Sequence, residues 1–225
     1  MSERIVVIGA GGFGRETLDI VEALVEAGRD LELVGVLDSG PSELDLSRLA
    51  ERGTVYLGTE DSWLPVSSGD ERFVVAIGSP SVRETVVRRL SGAGRRAATL
   101  IHPRAVIGSR ARIGDGVVVA SGVQVSTNVT LGDHVHLNPS SVIGHDAVLS
   151  DFVSVNPGAI VSGNVAVEPG VLLGAGSVVL QGLTVGAGAT VGAAACVTHD
   201  VRPGATVVGV PAREAVRADQ EGASS

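Results

Sequence analysis

The sequence predicts an α/β N-terminal domain of the Rossmann-like type, followed by a parallel β-helix. Strand-like and helix-like runs alternate through the first hundred residues, and a glycine-rich loop joins the first strand to the first helix. Beyond residue 100, an aliphatic residue recurs at every sixth position. We expect the α/β domain to span residues 1–98 and the β-helix residues 99–214, with a tail at 215–225.

The alternation in the N-terminal region is typical of a parallel sheet covered by helices. Buried-strand runs occupy residues 5–8, 31–37 and 73–78, and helical stretches occupy residues 15–27 and 81–90. The first helical stretch carries Leu18, Val21 and Leu24 on one face, and Gly28 ends it. Residues 39–70, rich in Ser, Gly, Asp and Glu, are the least defined part of this domain.

The second region repeats every six residues without an insertion. All 17 residues at six-residue steps from Ile101 to Val197 are Ile, Leu or Val. A period of six fits neither the 3.6-residue helix nor two-residue strand alternation, and it is a signature of the parallel β-helix. Three six-residue faces make one coil, so residues 18 apart stack with a spacing of about 4.8 Å. The tail is expected to fray.

Composition excludes several function classes. The net charge is −8, and all 17 basic residues are Arg without a visible basic stripe, so we expect no nucleic-acid and no membrane partner. A single cysteine, Cys196, rules out an internal disulfide framework and fits a reducing compartment. The sequence shows no signal-peptide pattern and no apolar run of about 18 residues, which predicts a cytoplasmic protein.

Candidate chemistry lies on the outer corners of the β-helix, because its interior is filled. Stacking at 18-residue intervals places Gly163 beside His145 in the next coil, about 5 Å away. A histidine next to an exposed glycine N–H combines a general base with an oxyanion donor. Asp146 or Asn138 could orient the imidazole and fix its tautomer. The alternative is that His145 is simply one of five histidines on a polar surface.

The other histidines carry weaker signals. His134 and His136 are spaced like two metal ligands, but no carboxylate or cysteine follows at a supporting spacing, so we predict no metal site. Taken singly, these two residues and His199 are expected to be solvated or to lie at an interface. His102, next to Pro103 at the junction of the two regions, is expected to be a structural cap.

The glycine loop has the spacing Gly9-x-Gly11-x-x-Gly14 between a strand and a helix, the context in which this fingerprint binds a diphosphate. Asp38, at the end of the second strand, is placed to accept a hydrogen bond from a ribose hydroxyl. An NAD-dependent enzyme would use the same residues, but the domain is about half of a dinucleotide-binding sheet. The glycines could also simply form a tight turn.

Five motifs resemble one family along nearly the whole chain. They are Val7-Ile8-Gly9-Ala10-Gly11-Gly12-Phe13-Gly14, Val34-Gly35-Val36-Leu37-Asp38, Val75-Ala76-Ile77-Gly78, Ile143-Gly144-His145-Asp146 and Gly209-Val210-Pro211-Ala212-Arg213. Together they resemble the hexapeptide-repeat sugar acetyltransferases, in the group of sialic-acid O-acetyltransferases and UDP-4-amino-sugar N-acetyltransferases (NeuD/PglD-like). The hexapeptides alone indicate only the broad superfamily.

The resemblance implies a left-handed β-helix that forms a homotrimer, with acetyl-CoA as co-substrate in the groove between adjacent prisms. It implies that His145 takes a proton from the sugar amine or hydroxyl, which attacks the thioester directly without a metal or an acyl-enzyme. Asp146 would orient His145, with Asn138 close by. The N–H of Gly163 would stabilise the oxyanion.

The resemblance also implies two binding sets. The sugar nucleotide would contact Gly9, Gly11, Gly12, Phe13, Gly14, Asp38 and Gly78, and acetyl-CoA would contact Ser154, Gly163, Gln181 and Arg213. The sequence departs from the family pattern at two of these positions: many relatives have a second active-site histidine in place of Ser154, and often a histidine in place of Phe13. These departures leave open a nonenzymatic trimeric scaffold that senses a nucleotide.

Overall fold

The computed structural model describes residues 2–215, so the predicted tail, apart from residue 215, lies outside the described residues. The N-terminal domain has a four-stranded parallel sheet in the order β2-β1-β3-β4. Its strands are β1 (Glu3–Ile8), β2 (Leu31–Leu37), β3 (Arg72–Val75) and β4 (Arg96–Ala97), and its helices are α1 (Gly12–Glu26), α2 (Glu43–Glu51), α3 (Glu60–Trp63) and α4 (Pro80–Gly92). The predicted alternation of strand and helix is confirmed.

The segment that the sequence left least defined contains α2 and α3. Both helices begin with a capping box, in which the N-cap side chain and the side chain three residues later each accept a hydrogen bond from the other residue's backbone N–H. Ser42 pairs with Asp45 at the start of α2, and Thr59 pairs with Ser62 at the start of α3. The capping residues are therefore the local sequence signal that marks where these two short helices begin.

The second domain is a left-handed β-helix of about six coils with three parallel faces. Face 1 contains β5 (Leu100–Ile101), β8 (Val118–Val119), β11 (His136–Leu137), β14 (Ser154–Val155), β17 (Leu172–Leu173), β20 (Thr190–Val191), β22 (Thr206–Val208) and the antiparallel β23 (Arg213–Glu214). Face 2 contains β6 (Val106–Ile107), β9 (Gln124–Val125), β12 (Val142–Ile143), β15 (Ile160–Val161), β18 (Val178–Val179) and β21 (Cys196–Val197). Face 3 contains β7 (Arg112–Ile113), β10 (Thr130–Leu131), β13 (Val148–Leu149), β16 (Ala166–Val167) and β19 (Thr184–Val185).

The 18-residue register is that predicted from the repeat. In face 2, for example, Ile143 pairs with Val161 in the next coil and with Val125 in the previous one. Every aliphatic repeat position from Val119 to Val197 is buried in the interior. The stacking of small aliphatic side chains therefore supplies the core of this domain with few aromatic residues.

The N-terminal domain packs against the lower coils of face 1. The ring of Phe13 lies 4.8 Å from that of His136, and the ring of His134 stacks between Phe73 and Phe152. Most of the few aromatic residues of the chain therefore lie at this interface. The short link after β4 leads directly into β5, and we keep the division between residues 98 and 99 as a proposal. No helix within residues 2–215 is long and apolar enough to span a bilayer.

Candidate active site

One candidate site lies at the corner between face 2 and face 3, which we call the His145 corner. A Cβ atom on Gly163 would lie 2.6 Å from both Cε1 and Nε2 of His145, so the imidazole covers the glycine Cα. Only a residue without a side chain leaves room for the ring there. Within residues 2–215, the structure shows no acceptor for the N–H of Gly163. The corner thus combines a ring nitrogen with a free backbone donor.

Asp146 orients the imidazole. Its Oδ2 atom lies 2.7 Å from Nδ1 of His145. The hydrogen bonds from His145 and then Asn128 hold the pKa of the Asp146 carboxyl below its ordinary value, so the carboxylate is ionised at neutral pH. An ionised partner makes Nδ1 the donor in this bond, which leaves the lone pair of Nε2 available to accept a proton.

Asn128 is a member of the site that the sequence analysis missed. Its Nδ2 atom donates to Oδ1 of Asp146 over 3.0 Å, so both carboxylate oxygens are held. Asn128 and Asp146 both have φ near +60°, the left-handed conformation that Asn and Asp tolerate better than most residues. The signal was present in the sequence, because Asn128 lies 18 residues before Asp146 and so occupies the same corner one coil earlier.

The residues predicted to surround His145 are distributed over several parts of the β-helix. Asn138 lies at the corner between face 1 and face 2, where its Nδ2 donates to the carbonyl of Val155 over 2.9 Å. Within the described chain it forms no hydrogen bond with His145. Gln181 is exposed one coil beyond Gly163 at the His145 corner, and Arg213 is exposed in β23. One copy of the chain therefore brings together only His145, Asp146 and Gly163 of the catalytic set.

The geometry does not support the expected contact between Ser154 and acetyl-CoA. Ser154 is 1% exposed on face 1, where the N-terminal domain covers it. Its hydroxyl donates to the carbonyl of Gly78 over 3.0 Å and accepts from Arg83 over 3.0 Å. The short serine side chain belongs to the interface between the domains, because β14 points it towards the β3–α4 loop (residues 76–79).

A second candidate site is the crevice between the glycine loop (residues 9–14) and the β3–α4 loop. These loops follow β1 and β3, the adjacent strands at which the chain order of the sheet reverses, and ligands of open α/β sheets bind at such a point. Gly9 has φ +115°, and a Cβ on Gly14 would collide with the carbonyl oxygen of Gly9. These two glycines are therefore required by the turn itself.

The other glycines of the crevice serve no packing purpose. A Cβ on Gly11, Gly12 or Gly78 would meet nothing within 4 Å. Helix α1 begins at Gly12 without a side-chain cap and without an acidic residue in its first turn, and the N–H groups of Gly12 and Phe13 have no acceptor within residues 2–215. This arrangement leaves backbone donors and the positive end of the helix dipole accessible to an anion.

Asp38 follows β2 and lies beside this crevice. Its Oδ2 accepts from the N–H of Ala10 over 2.8 Å, and its Oδ1 accepts from the N–H of Gly40 over 2.9 Å. Phe13 lies in the first turn of α1, with its ring against His136 rather than in the crevice mouth. The carboxylate is therefore held in place by backbone donors, and each oxygen retains capacity to accept a further hydrogen bond.

His134 and His136 lie at the interface between the two domains. Burial lowers the pKa of both imidazoles, so they are neutral at pH 7. Neither ring nitrogen of His136 has a hydrogen-bond partner in the described part of the chain. No group of three or more side chains suited to a metal ion occurs among residues 2–215. His102 accepts from the N–H of Arg104 over 2.9 Å, a local cap of the kind expected.

The two domains match two family models. Residues 4–90 match the PglD N-terminal domain, and residues 110–145 match the bacterial transferase hexapeptide of six repeats. A GDP-perosamine N-acetyltransferase of Escherichia coli O157:H7 is 35% identical over 142 residues, which are 62% of this chain and 61% of that protein. A UDP-N-acetylbacillosamine N-acetyltransferase of Bacillus subtilis (strain 168) is 31% identical over 117 residues, 52% of this chain and 51% of that protein.

The chain thus spans only about half to three fifths of the length of these curated relatives. A crystal structure covers far more: PerB from Caulobacter crescentus, in complex with CoA and GDP-perosamine, matches with a TM-score of 0.83 and 30% identity. That match covers 94% of this chain and 97% of PerB. With both domains matched in the same order, the chain belongs to the NeuD/PglD-like family of hexapeptide-repeat sugar acetyltransferases.

Proposed function

We propose that the protein transfers an acetyl group from acetyl-CoA to the amine of a nucleotide-linked amino sugar, with His145 as general base. The observation that carries this proposal is the His145 corner, in which an oriented imidazole lies against a glycine with a free N–H. PerB was crystallised with CoA and GDP-perosamine, and the two curated relatives are sugar N-acetyltransferases. These relatives favour an amine over a hydroxyl as the acceptor.

The corner supports direct transfer in a ternary complex. Nε2 of His145 removes a proton from the amine as its nitrogen attacks the thioester carbonyl carbon. The developing negative charge on the carbonyl oxygen is stabilised by the N–H of Gly163. When the tetrahedral intermediate collapses, the C–S bond breaks and the proton on His145 passes to the departing thiolate. The products are the N-acetylated sugar and CoA with a free thiol.

The crevice of the N-terminal domain suits the nucleotide part of the acceptor. The open backbone donors at Gly11 and Gly12 and the start of α1 favour a diphosphate. The carboxylate of Asp38 is held so that it can accept from a ribose hydroxyl. Local donors of this kind are required for an anionic ligand, because the chain as a whole carries a charge of −8.

A complete site requires more than one copy of the chain. The crevice opens beside face 1, whereas His145 lies at the corner between face 2 and face 3 and forms no hydrogen bond with the described N-terminal domain. Face 2 carries outward aliphatic side chains, including Val106 and Ile160, which are 54% and 40% exposed. We assign these to a homotrimer interface that brings Asn138 of one protomer towards His145 of its neighbour.

In this trimer, acetyl-CoA lies in the groove between two prisms. Its thioester is placed against Gly163, with Gln181, one coil beyond Gly163 at the same corner, and Arg213, in β23, as contacts for the rest of the cofactor. A cytoplasmic location fits both acetyl-CoA as donor and the single, unpaired Cys196. No metal takes part in the proposed reaction.

The first experiment is a calorimetric titration of the purified protein with acetyl-CoA, which does not require the acceptor to be known. We expect micromolar affinity with one site per chain. UDP-, dTDP- and GDP-linked amino sugars are then screened for release of the CoA thiol, with His145→Ala as control. No binding of acetyl-CoA at millimolar concentration, even with these sugar nucleotides present, would overturn the proposal in favour of a scaffold. Micromolar binding of NAD(H) would instead favour the dehydrogenase alternative.

A further inference from the structure

A buried arginine joins the two domains at the edge of the crevice. Arg83, in the first turns of α4, is 0% exposed. Its Nη1 donates to the carbonyl of Ile77 over 2.8 Å and to that of Gly78 over 3.4 Å. Its Nη2 reaches the β-helix, where it donates to the carbonyl of Phe152 over 2.6 Å and to Oγ of Ser154 over 3.0 Å. One guanidinium therefore holds the β3–α4 loop against face 1.

The charge of this guanidinium has no acidic partner. Burial is the only cause that lowers the pKa of Arg83, to about 9, so the group remains protonated at neutral pH. Within residues 2–215, no carboxylate forms a salt bridge with it, and its acceptors are four carbonyls and a hydroxyl. A buried charge without a counter-ion is costly, and an apolar side chain would join two surfaces at lower cost. Joining the two domains therefore does not by itself explain why an arginine occupies this position.

The carbonyl contacts determine where the neighbouring N–H groups point. In a trans peptide the C=O and the following N–H lie in one plane and point in opposite directions. Because Arg83 binds the carbonyls of Ile77 and Gly78, the N–H groups of Gly78 and Ser79 point away from face 1. Neither N–H has an acceptor within the described chain. The hydroxyl of Ser154 strengthens this orientation, since it also donates to the carbonyl of Gly78.

These free N–H groups form the second wall of the crevice. Gly9, which opens the glycine loop, lies directly against the β3–α4 loop, because a Cβ there would be 2.7 Å from the carbonyl oxygen of Ala76. Gly78 faces open space. Helix α4 starts at Pro80 with no side-chain cap and no acidic residue in its first turn. Two loops with free backbone donors therefore face the same opening, and a buried positive charge lies behind one of them.

We propose that Arg83 is a positioning residue for the sugar nucleotide: with Ser154 it holds the N–H groups of Gly78 and Ser79 towards the diphosphate. This inference rests on the proposed function, since it assigns the diphosphate to the crevice. It also gives a role to Ser154 at the site of the acceptor nucleotide instead of at acetyl-CoA. Arg83 touches neither reacting group, so it acts through the backbone of the β3–α4 loop.

The test compares Arg83→Met, Arg83→Lys and Arg88→Met by calorimetric titration with GDP, UDP and dTDP, and separately with acetyl-CoA. Arg88 lies on the exposed side of the same helix and is the matched control. We expect Arg83→Met to weaken binding of the nucleoside diphosphate that the wild type prefers by tenfold or more. Affinity for acetyl-CoA should change less than twofold. Arg83→Lys should recover part of the loss, because it keeps the charge and one of the hydrogen bonds.

If Arg83 only holds the two domains together, a different pattern is expected. In that case the affinities for the nucleoside diphosphate and for acetyl-CoA fall together with the melting temperature, or neither affinity changes. Either result would overturn the inference. If Arg83→Met does not fold, Ser154→Ala is tested in its place. We expect its affinity for the nucleoside diphosphate to be two- to fivefold weaker and its affinity for acetyl-CoA to be unchanged. An unchanged affinity for the nucleoside diphosphate would contradict the inference. Failure of the wild type to bind any of the three diphosphates would overturn the proposed acceptor itself.

Discussion

The His145 corner and the nucleotide crevice are built in opposite ways. The side chains of His145 and Asp146 are 58% and 43% exposed, so the coil that carries them does not depend on them for its packing. The crevice depends on buried contacts between different elements, such as Gly14 against Gly9 and Arg83 against Ser154. The contrast teaches that changes at the corner should alter chemistry with little effect on folding, whereas changes at the buried contacts of the crevice and the interface should affect binding and stability together.

The largest effect is expected from His145→Ala. Loss of a general base lowers kcat by a factor on the order of 10²–10⁴, while the melting temperature should stay near that of the wild type because the side chain is exposed. Steady-state kinetics and thermal unfolding measure the two quantities. His102→Ala, which removes an imidazole far from the corner, is the control. A His145→Ala enzyme that keeps more than half of the wild-type turnover would contradict the assignment.

Gly163→Ala tests the same corner through the backbone. The added methyl would lie 2.6 Å from the imidazole, and we expect the displaced ring to lower kcat by a factor on the order of 10–10². Gly92→Ala, where the added Cβ meets nothing, should leave kcat unchanged. If Gly163→Ala retained full turnover, the position of the imidazole ring would not matter to the reaction.

Substitutions at two glycines of the crevice distinguish an effect on folding from an effect on binding. The methyl of Gly14→Ala would collide with the carbonyl oxygen of Gly9, and such overpacking costs about 1–3 kcal/mol of the free energy of unfolding. Gly11→Ala faces open space with φ −68°, so it should fold like the wild type but weaken binding of the nucleoside diphosphate. Urea unfolding and calorimetry measure both. Equal stability of the two variants would show that the tight turn is not needed.

The interface between the two regions should respond to acid. Burial lowers the pKa of His134 and His136, with Arg83 adding to the effect and Asp133 opposing it at His134. Below about pH 6.5 the unfolded chain binds protons at these imidazoles while the folded chain does not. The free energy of unfolding should therefore decrease as the pH falls below 6.5, by up to about 1.4 kcal/mol per histidine and pH unit.

Urea unfolding between pH 7.5 and 5 measures this dependence. His134→Phe keeps an aromatic ring between Phe73 and Phe152 but cannot titrate, so it should reduce the slope. An unchanged slope in this variant would mean that other groups cause the acid sensitivity.

The smallest effect is expected from Asn128→Ala. Without its hydrogen bond, Asp146 keeps its contact with His145 but loses one of the two side-chain bonds that lower its pKa, and we expect kcat to fall by about two- to tenfold. Asn164→Ala is the matched control, because it places alanine in the same left-handed conformation two coils later. Equal losses in both variants would mean that backbone strain, and not the orientation of Asp146, is responsible.

Much of the β-helix site could be read from the sequence because the repeat has no insertion. With a constant coil length, a difference of 18 residues means contact, and that rule alone placed Gly163 against His145. Applied once more, it would have found Asn128 below Asp146. It could not place Asn138, which lies at another corner of the same chain, because the rule describes one prism and carries no information about a neighbouring copy.

The sequence by itself determined the two fold classes, the register of the coils, the glycine loop and the pairing of His145 with Gly163, since all of these follow from local patterns or a fixed period. Only the tertiary structure decided how the two domains meet. Arg83 binds Ser154, which is 71 positions away, and the ring of Phe73 stacks on that of His134; neither pairing follows the 18-residue period of the coils. Such contacts depend on how the surfaces of the two folded domains fit together, which no local sequence pattern encodes.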